Sequence, residues 1–176
     1  GVGVAEELLW GLAAGRFDLV VSAIRPRGRA ITAVPLTDEE FVLVAAACWA
    51  ERIDREHLAR EPAAALRGVP LISYAEDLPI IRRYWRTVFG GRPSGQAAVV
   101  VPDLRGVLAA AAAGAGVTVL PRYLCEQQLA SGELVALLQP EVPPINTLFL
   151  AARTGTADLP HIAAVRDHLL AQARSW

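Results

Sequence analysis

The chain has 176 residues, 53% of them hydrophobic and 20% charged, with a net charge of −1. That is the balance of a globular domain able to bury a core without disulfides or a structural metal, and it excludes collagen-like and low-complexity classes. All 17 basic residues are Arg, and a near-neutral chain binds nucleic acid poorly, because phosphate affinity needs clustered positive charge.

No apolar run reaches the roughly 18–20 residues of a membrane-spanning helix. The opening residues do not read as a basic-then-apolar leader. The sequence contains no Met, so residue 1 is expected to lie inside a longer or processed polypeptide. Cys48 and Cys125 have no partners at metal-ligand spacing and are expected as buried small hydrophobes in a reducing compartment.

In chain order, Val4–Ala14 predicts a helix closed by Gly15, and Phe17–Ala23 a buried strand. Arg25–Arg29 is a polar turn. Ile31–Leu36 and Glu40–Ala47 predict two strands separated by Thr37, Asp38 and Glu39. Trp49–Leu66 reads as loop with short helix, and Gly68–Tyr74 as a turn and short strand. Pro79–Phe89 predicts a helix with Ile80, Ile81, Tyr84, Trp85 and Val88 on one face. Trp85 and Val88 are expected to be exposed enough to serve an interface.

The stretch Pro102–Pro121 is the most informative. Ala97–Val101 is apolar and β-branched, and Pro102 ends it as a strand. Asp103 is a natural N-cap for a helix over Leu104–Ala113. Gly114 can close that helix, and Gly116–Leu120 predicts a second buried strand ending at Pro121. Beyond it come a helix over Tyr123–Ala130, strands over Leu134–Leu138 and Asn146–Ala152, and an amphipathic helix over Leu159–Ala173.

Strands alternating with helices at this spacing give an α/β class. Two expected crossings, near Ala45–Ala50 and Gln139–Pro144, divide the chain into two lobes. Residues 1–46 with 140–176 form the first, and residues 47–139 the second.

The catalytic inventory is empty. Ser73 lacks the flanking glycines of a nucleophile elbow. His57, His161 and His168 have no companions at ligand spacing, so no metal is expected. Gly114 and Gly116 follow a helix and precede a strand, the reverse of a phosphate cradle, which makes a helix cap the better reading. A hydrolase or transferase is therefore disfavoured, and no cofactor is expected. In open parallel sheets, ligands sit beyond the carboxyl ends of the strands. The residues at such ends are Ser22, Ala23, Thr37, Ser73, Tyr74, Asp103, Leu104 and Pro121. Hydroxyls, amides and one aromatic suit a small anionic or aromatic ligand. A cap or turn role is the alternative for each.

Five segments in order carry a family resemblance. Leu12-Ala-Ala-Gly-Arg-Phe-Asp-Leu-Val-Val21 resembles the L-x-x-G-x-L-D-L-A-I segment of LysR-type transcriptional regulators. Pro35–Val44 resembles that family's strand leading to the hinge, and Val69–Ser73 its P-L-I strand. Leu108–Pro121 is similar to its V-A-A-G-x-G-I-x-L-L-P signature, and Gly132–Val135 to its G-x-L-V.

The resemblance implies the effector-binding domain, with a periplasmic-binding-protein type II-like fold of two α/β subdomains joined by crossing strands. It implies a small-molecule effector in the cleft lined by the eight residues above. It also implies DNA binding through an N-terminal helix-turn-helix absent from this chain, a homodimer or homotetramer, a cytoplasmic location and no membrane. The first β-α-β unit of subdomain I is expected to be missing as well. A periplasmic-type solute-binding protein sharing the fold is the alternative.

Overall fold

The structure, a computed structural model, describes residues 5–173. Its elements in chain order are α1 (Ala5–Ala13), β1 (Leu19–Ser22), β2 (Ile31–Ala46), α2 (Ala47–Ala50), α3 (Arg55–Arg60), α4 (Pro62–Ala65), β3 (Leu71–Ser73) and α5 (Pro79–Tyr84). A π-helical turn over Trp85–Phe89 follows. Then come β4 (Ala97–Val100), α6 (Leu104–Ala112), β5 (Val117–Pro121), α7 (Arg122–Ser131), β6 (Leu134–Ala136), β7 (Ile145–Arg153) and α8 (Pro160–Gln172). The α/β class and the element order match the sequence reading. Val4, expected to open the first helix, lies outside the described residues.

Two compact units divide the chain, the first ending at Glu39 and resuming at Asn146, the second running from Glu40 to Ile145. In the first, β1 pairs antiparallel with β7 in the register Leu19↔Ala152 to Ser22↔Phe149. Leu9, Leu12, Val20 and Ala151 make a core under α1. The Arg153 guanidinium donates to the Leu12 carbonyl at 3.1 Å, to the Phe17 carbonyl, and to the Asp18 carboxylate at 2.8 Å. That single side chain ties the last strand to the α1–β1 connection.

In the second unit, β3 is parallel to both β4 and β5, and β2 runs antiparallel to β5 and β6. Residues 40–46 and 140–145 belong with this unit. Phe41–Ala45 take their partners from Val117–Pro121, and the Phe41 amide donates to the Pro144 carbonyl at 2.8 Å. Every residue of β5 is buried, as expected of a strand covered on both faces. One core lies on the face of Leu43, Tyr84, Trp85 and Val119, and another on the face of Val44, Ile72, Val107 and Leu120.

Four expectations are corrected. Residues 31–46 form one strand, not two. The polar residues Thr37, Asp38 and Glu39 do not break it, because their partners lie across on β7: Thr147 donates to Asp38 at 2.6 Å and Asn146 to Glu39 at 3.1 Å. Pro35 is tolerated because β5 and β6 take up only Phe41–Ala46, leaving one edge without a partner strand among the described residues. The expected helix 79–89 is α-helical only to Tyr84 and then widens into the π turn. Trp85 does not form an exposed interface: it is 3% exposed, with its ring 5.1 Å from Phe89 and 6.2 Å from Tyr84. Cys48 is exposed, while Cys125 is buried as expected.

Candidate functional site

In the second unit, β3, β4 and β5 point the same way, so their carboxyl ends meet at one end of the sheet. Five of the expected residues lie there. Ser73 ends β3 and Tyr74 follows it, Asp103 and Leu104 follow β4, and Pro121 ends β5. The Val101 amide donates to the Ser73 carbonyl at 3.0 Å, which holds the first two pairs side by side.

Ser73 is buried, and its hydroxyl oxygen accepts from the Ala75 amide at 3.3 Å, fixing the turn that presents Tyr74. Tyr74 is half-buried. Burial, and secondarily the negative charge of Asp77, pushes its phenol above the usual range. It therefore stays a neutral donor at physiological pH. Asp103 is exposed and caps α6, accepting from the Arg105 amide at 2.8 Å and from the Arg105 guanidinium at 3.1 Å. Those hydrogen bonds hold its carboxyl below the ordinary aspartate value. Leu104 is half-buried beside it, and Pro121 is buried. The Thr118 hydroxyl, inside β5, donates to the Ile72 carbonyl at 2.8 Å and is spent on the sheet.

The first unit holds the other three residues. Ser22 ends β1 as expected, but its hydroxyl is buried and closes a local turn, donating to the Ile24 carbonyl at 2.8 Å and accepting from the Ile24 amide at 3.2 Å. Ala23 is exposed next to it. Thr37 is not a strand end, because β2 continues through it.

The glycines behave as the sequence implies. The Gly114 and Ala115 amides donate back to Ala111 and Ala110, each at 3.0 Å, which is the Schellman closure of α6. No phosphate cradle forms there. Among the described residues no cluster of His, Cys, Asp and Glu could hold a metal ion. No helix there is long and apolar enough to cross a membrane.

Sequence reasoning missed a cavity of about 580 Å³ at the amino ends of β3 and β4, opposite the carboxyl-end group. Its walls come from separate segments between Pro62 and Ala98 that only the fold brings together. The only available signal was Trp85 itself, an indole in a loop-flanked helix.

Comparison with known proteins fits this architecture. The family described as LysR substrate binding domain matches residues 2–174. The HTH-type transcriptional regulator AbaB of Streptomyces antibioticus is 51% identical over 174 residues, covering 99% of this chain and 58% of AbaB. The chain thus spans a little over half the length of that curated relative.

Among solved structures, ArgP from Mycobacterium tuberculosis superposes with a TM-score of 0.82 at 23% identity, covering 98% of this chain and 57% of that one. The C-terminal domains of a LysR family protein from Agrobacterium tumefaciens give 0.78 at 22% identity, with 99% and 81% covered. LysG from Corynebacterium glutamicum with bound effector Arg gives 0.74 at 16%, with 98% and 57% covered. The fold is accordingly the periplasmic-binding-protein type II-like α/β fold of LysR effector-binding domains. A match to nearly the whole chain and a regulator at 51% identity favour regulation over solute transport. The chain belongs to the LysR substrate-binding domain family.

Proposed function

We propose that this chain is the sensing part of a cytoplasmic transcriptional regulator. It binds a small-molecule effector without transforming it, and DNA is bound by another part of the longer protein, which works as a homodimer or homotetramer. The observation that carries this reading is the convergence of Ser73, Tyr74, Asp103, Leu104 and Pro121 at the carboxyl ends of three parallel strands. Ser22, Ala23 and Thr37 are the candidates from the other unit. That LysG was solved with arginine bound supports a metabolite-sized ligand of this general kind.

Binding acts by differential affinity. An effector that prefers one arrangement of the regulator shifts the population toward it, and with it the DNA contacts. Tyr74 as a neutral donor and Leu104 as an apolar neighbour would set specificity; Ser73 shapes the turn behind them.

The experiment is a thermal-shift screen of amino acids and aromatic acids, followed by titration of any hit against Tyr74→Phe and Leu104→Ala. The expected result is a saturable rise in Tm, with affinity lowered in both variants. A hit whose affinity is unchanged in both would place the effector elsewhere. A screen without hits, together with operator binding by the longer protein that no metabolite alters, would overturn the sensor reading.

A further inference from the structure

The stretch from Leu78 to Phe89 runs from the end of the Tyr74 turn through α5 and the π turn, all within the second unit. It gathers three local costs that occur nowhere else among the described residues. The first is at Leu78, which has φ 54° and ψ 47° and is the only described non-glycine residue in the left-handed region. A side chain there crowds the following carbonyl oxygen, and leucine has no polar group to offset this. Leu78 is 4% exposed, in the core that also holds Ile81, Tyr84 and Trp85, so burial of its side chain opposes the strain of its backbone.

The second cost is at Tyr84. The residue is fully buried, and its hydroxyl is the only buried side-chain polar atom without a hydrogen-bond partner among the described residues. A hydroxyl taken out of water in this way loses its hydration and gains no bond in return. The third is the π turn itself, a rare and less favourable geometry. In an α-helix, residues five apart point about 140° away from each other. Bonding five residues back, as the Gly90 amide does to the Trp85 carbonyl, instead brings the Phe89 ring within 5.9 Å of Tyr84 and 5.1 Å of Trp85. The aromatic cluster is gained at the expense of regular helix.

Hydrogen bonds tie this stretch to the turn that presents Tyr74. The Leu78 amide donates to the Ala75 carbonyl at 3.2 Å, and the Arg82 amide to the Leu78 carbonyl at 2.8 Å. The Arg82 guanidinium donates to the Asp77 carbonyl at 3.4 Å, and the Ala75 amide to the Ser73 hydroxyl at 3.3 Å. Helix α5 therefore cannot lift without pulling on Tyr74. The sheet below has no such weakness: β5 is paired to β2 and to β3, and all its residues are buried. Strain persists only where its surroundings over-determine it, and segments that accumulate local costs are the first to open.

We propose that residues 75–90 form a latch, which opens and closes as one unit while the sheet and α6 stay folded, and which carries Tyr74 with it. Its regulatory use rests on the reading of Tyr74 as an effector contact: a ligand held by the closed turn shifts the latch toward closed, so binding is read out as ordering of α5.

The test is native-state hydrogen exchange, followed by ¹H–¹⁵N spectroscopy on the whole chain with no ligand added. The Leu78, Arg82, Trp85 and Gly90 amides all have acceptors inside the latch. They are expected to exchange roughly a hundredfold faster than the Val107 and Val117 amides, which donate to the Asp103 and Pro70 carbonyls. Tyr84→Phe removes the unpartnered hydroxyl, so all four latch amides slow together, roughly tenfold. Val107→Ala opens a cavity in the other core and speeds exchange at Val117 roughly tenfold or more. The four latch amides keep their rates in that variant, because α6 is folded on both sides of the latch equilibrium. Equal protection of the two groups overturns the proposal. So does a Tyr84→Phe effect confined to part of the four, or a Val107→Ala effect that reaches them. Should Val107→Ala not fold, the first two readings still decide. No effector enters the measurement, so its failure leaves the sensor reading standing, and a failed ligand screen leaves the latch standing.

Discussion

Gly114 and Gly116 stand two residues apart and solve different problems. Gly114 has φ +81° as the left-handed stop of α6, and a Cβ there would meet only the Cys48 sulfur at 3.4 Å. Gly116 has φ +156°, and a Cβ there would sit 2.2 Å from the Pro70 carbonyl oxygen. That oxygen also accepts from the Val117 amide at 2.9 Å, so it cannot retreat without losing the start of the β3–β5 pairing. Gly114→Ala is therefore expected to cost about 1 kcal/mol, the usual cost of a side chain in the left-handed region. Gly116→Ala should cost about 3 kcal/mol or more, because backbone must move. Urea denaturation of the two variants reads the difference, and equal costs would remove the close-approach argument. Asp103 gives a prediction in pH. Its folded pKa lies below the ordinary value because Arg105 donates to it through side chain and backbone. A depressed carboxylate stabilises the fold above its unfolded pKa of about 3.9, and the contribution fades as pH falls through the folded value. The stability gap between the parent and Asp103→Ala should thus be full at neutral pH and close in acid. A gap that is constant down to the acid limit would mean the carboxylate is not the cap.

The helix α6 and the strand β2 show what was legible in the sequence and what was not. Helix α6 was readable end to end, because Asp103, Pro102 and Gly114 are local signals whose chemistry is complete within a turn. Its Ala111 is fully buried, in the core that also holds Val44, Ile72 and Leu120. Ala111→Leu is expected to lower stability by roughly 1–3 kcal/mol through overpacking. A neutral result in thermal denaturation would mean the helix can lift from the sheet. Strand β2 was not readable, because Thr37, Asp38 and Glu39 look like a polar interruption until their partners on β7, more than a hundred residues away in sequence, are known. The same holds for Trp85. Helical spacing put it on an apolar face, but only tertiary contacts decide whether that face is covered. The candidate site divides along the same line. The carboxyl-end residues follow from local strand ends, whereas the cavity beside Trp85 exists only once the segments around Arg67, Trp85 and Pro93 have been brought together.

At the scale of the molecule, the two units differ in how the chain builds them. The second is one continuous run from Glu40 to Ile145, and two of the hydrophobic cores lie entirely inside it. The first is assembled from both ends of the chain and depends on the β1–β7 pairing and on Arg153 to hold them together. A continuous segment that carries its own core can fold alone, while a discontinuous one must first close a long loop. Residues 40–145 expressed by themselves are therefore expected to fold. They keep all the antiparallel pairs of β2 with β5 and β6, and all the parallel pairs of β3. Urea should unfold them in a single cooperative transition with a slope of roughly 1–2 kcal/mol per molar. A broad, non-cooperative melt would show instead that the cores around Tyr84 and Val107 need the rest of the chain. The second unit would then be a compact region of a larger cooperative whole, and the residues proposed to bind the effector at its strand ends could not be studied apart from it.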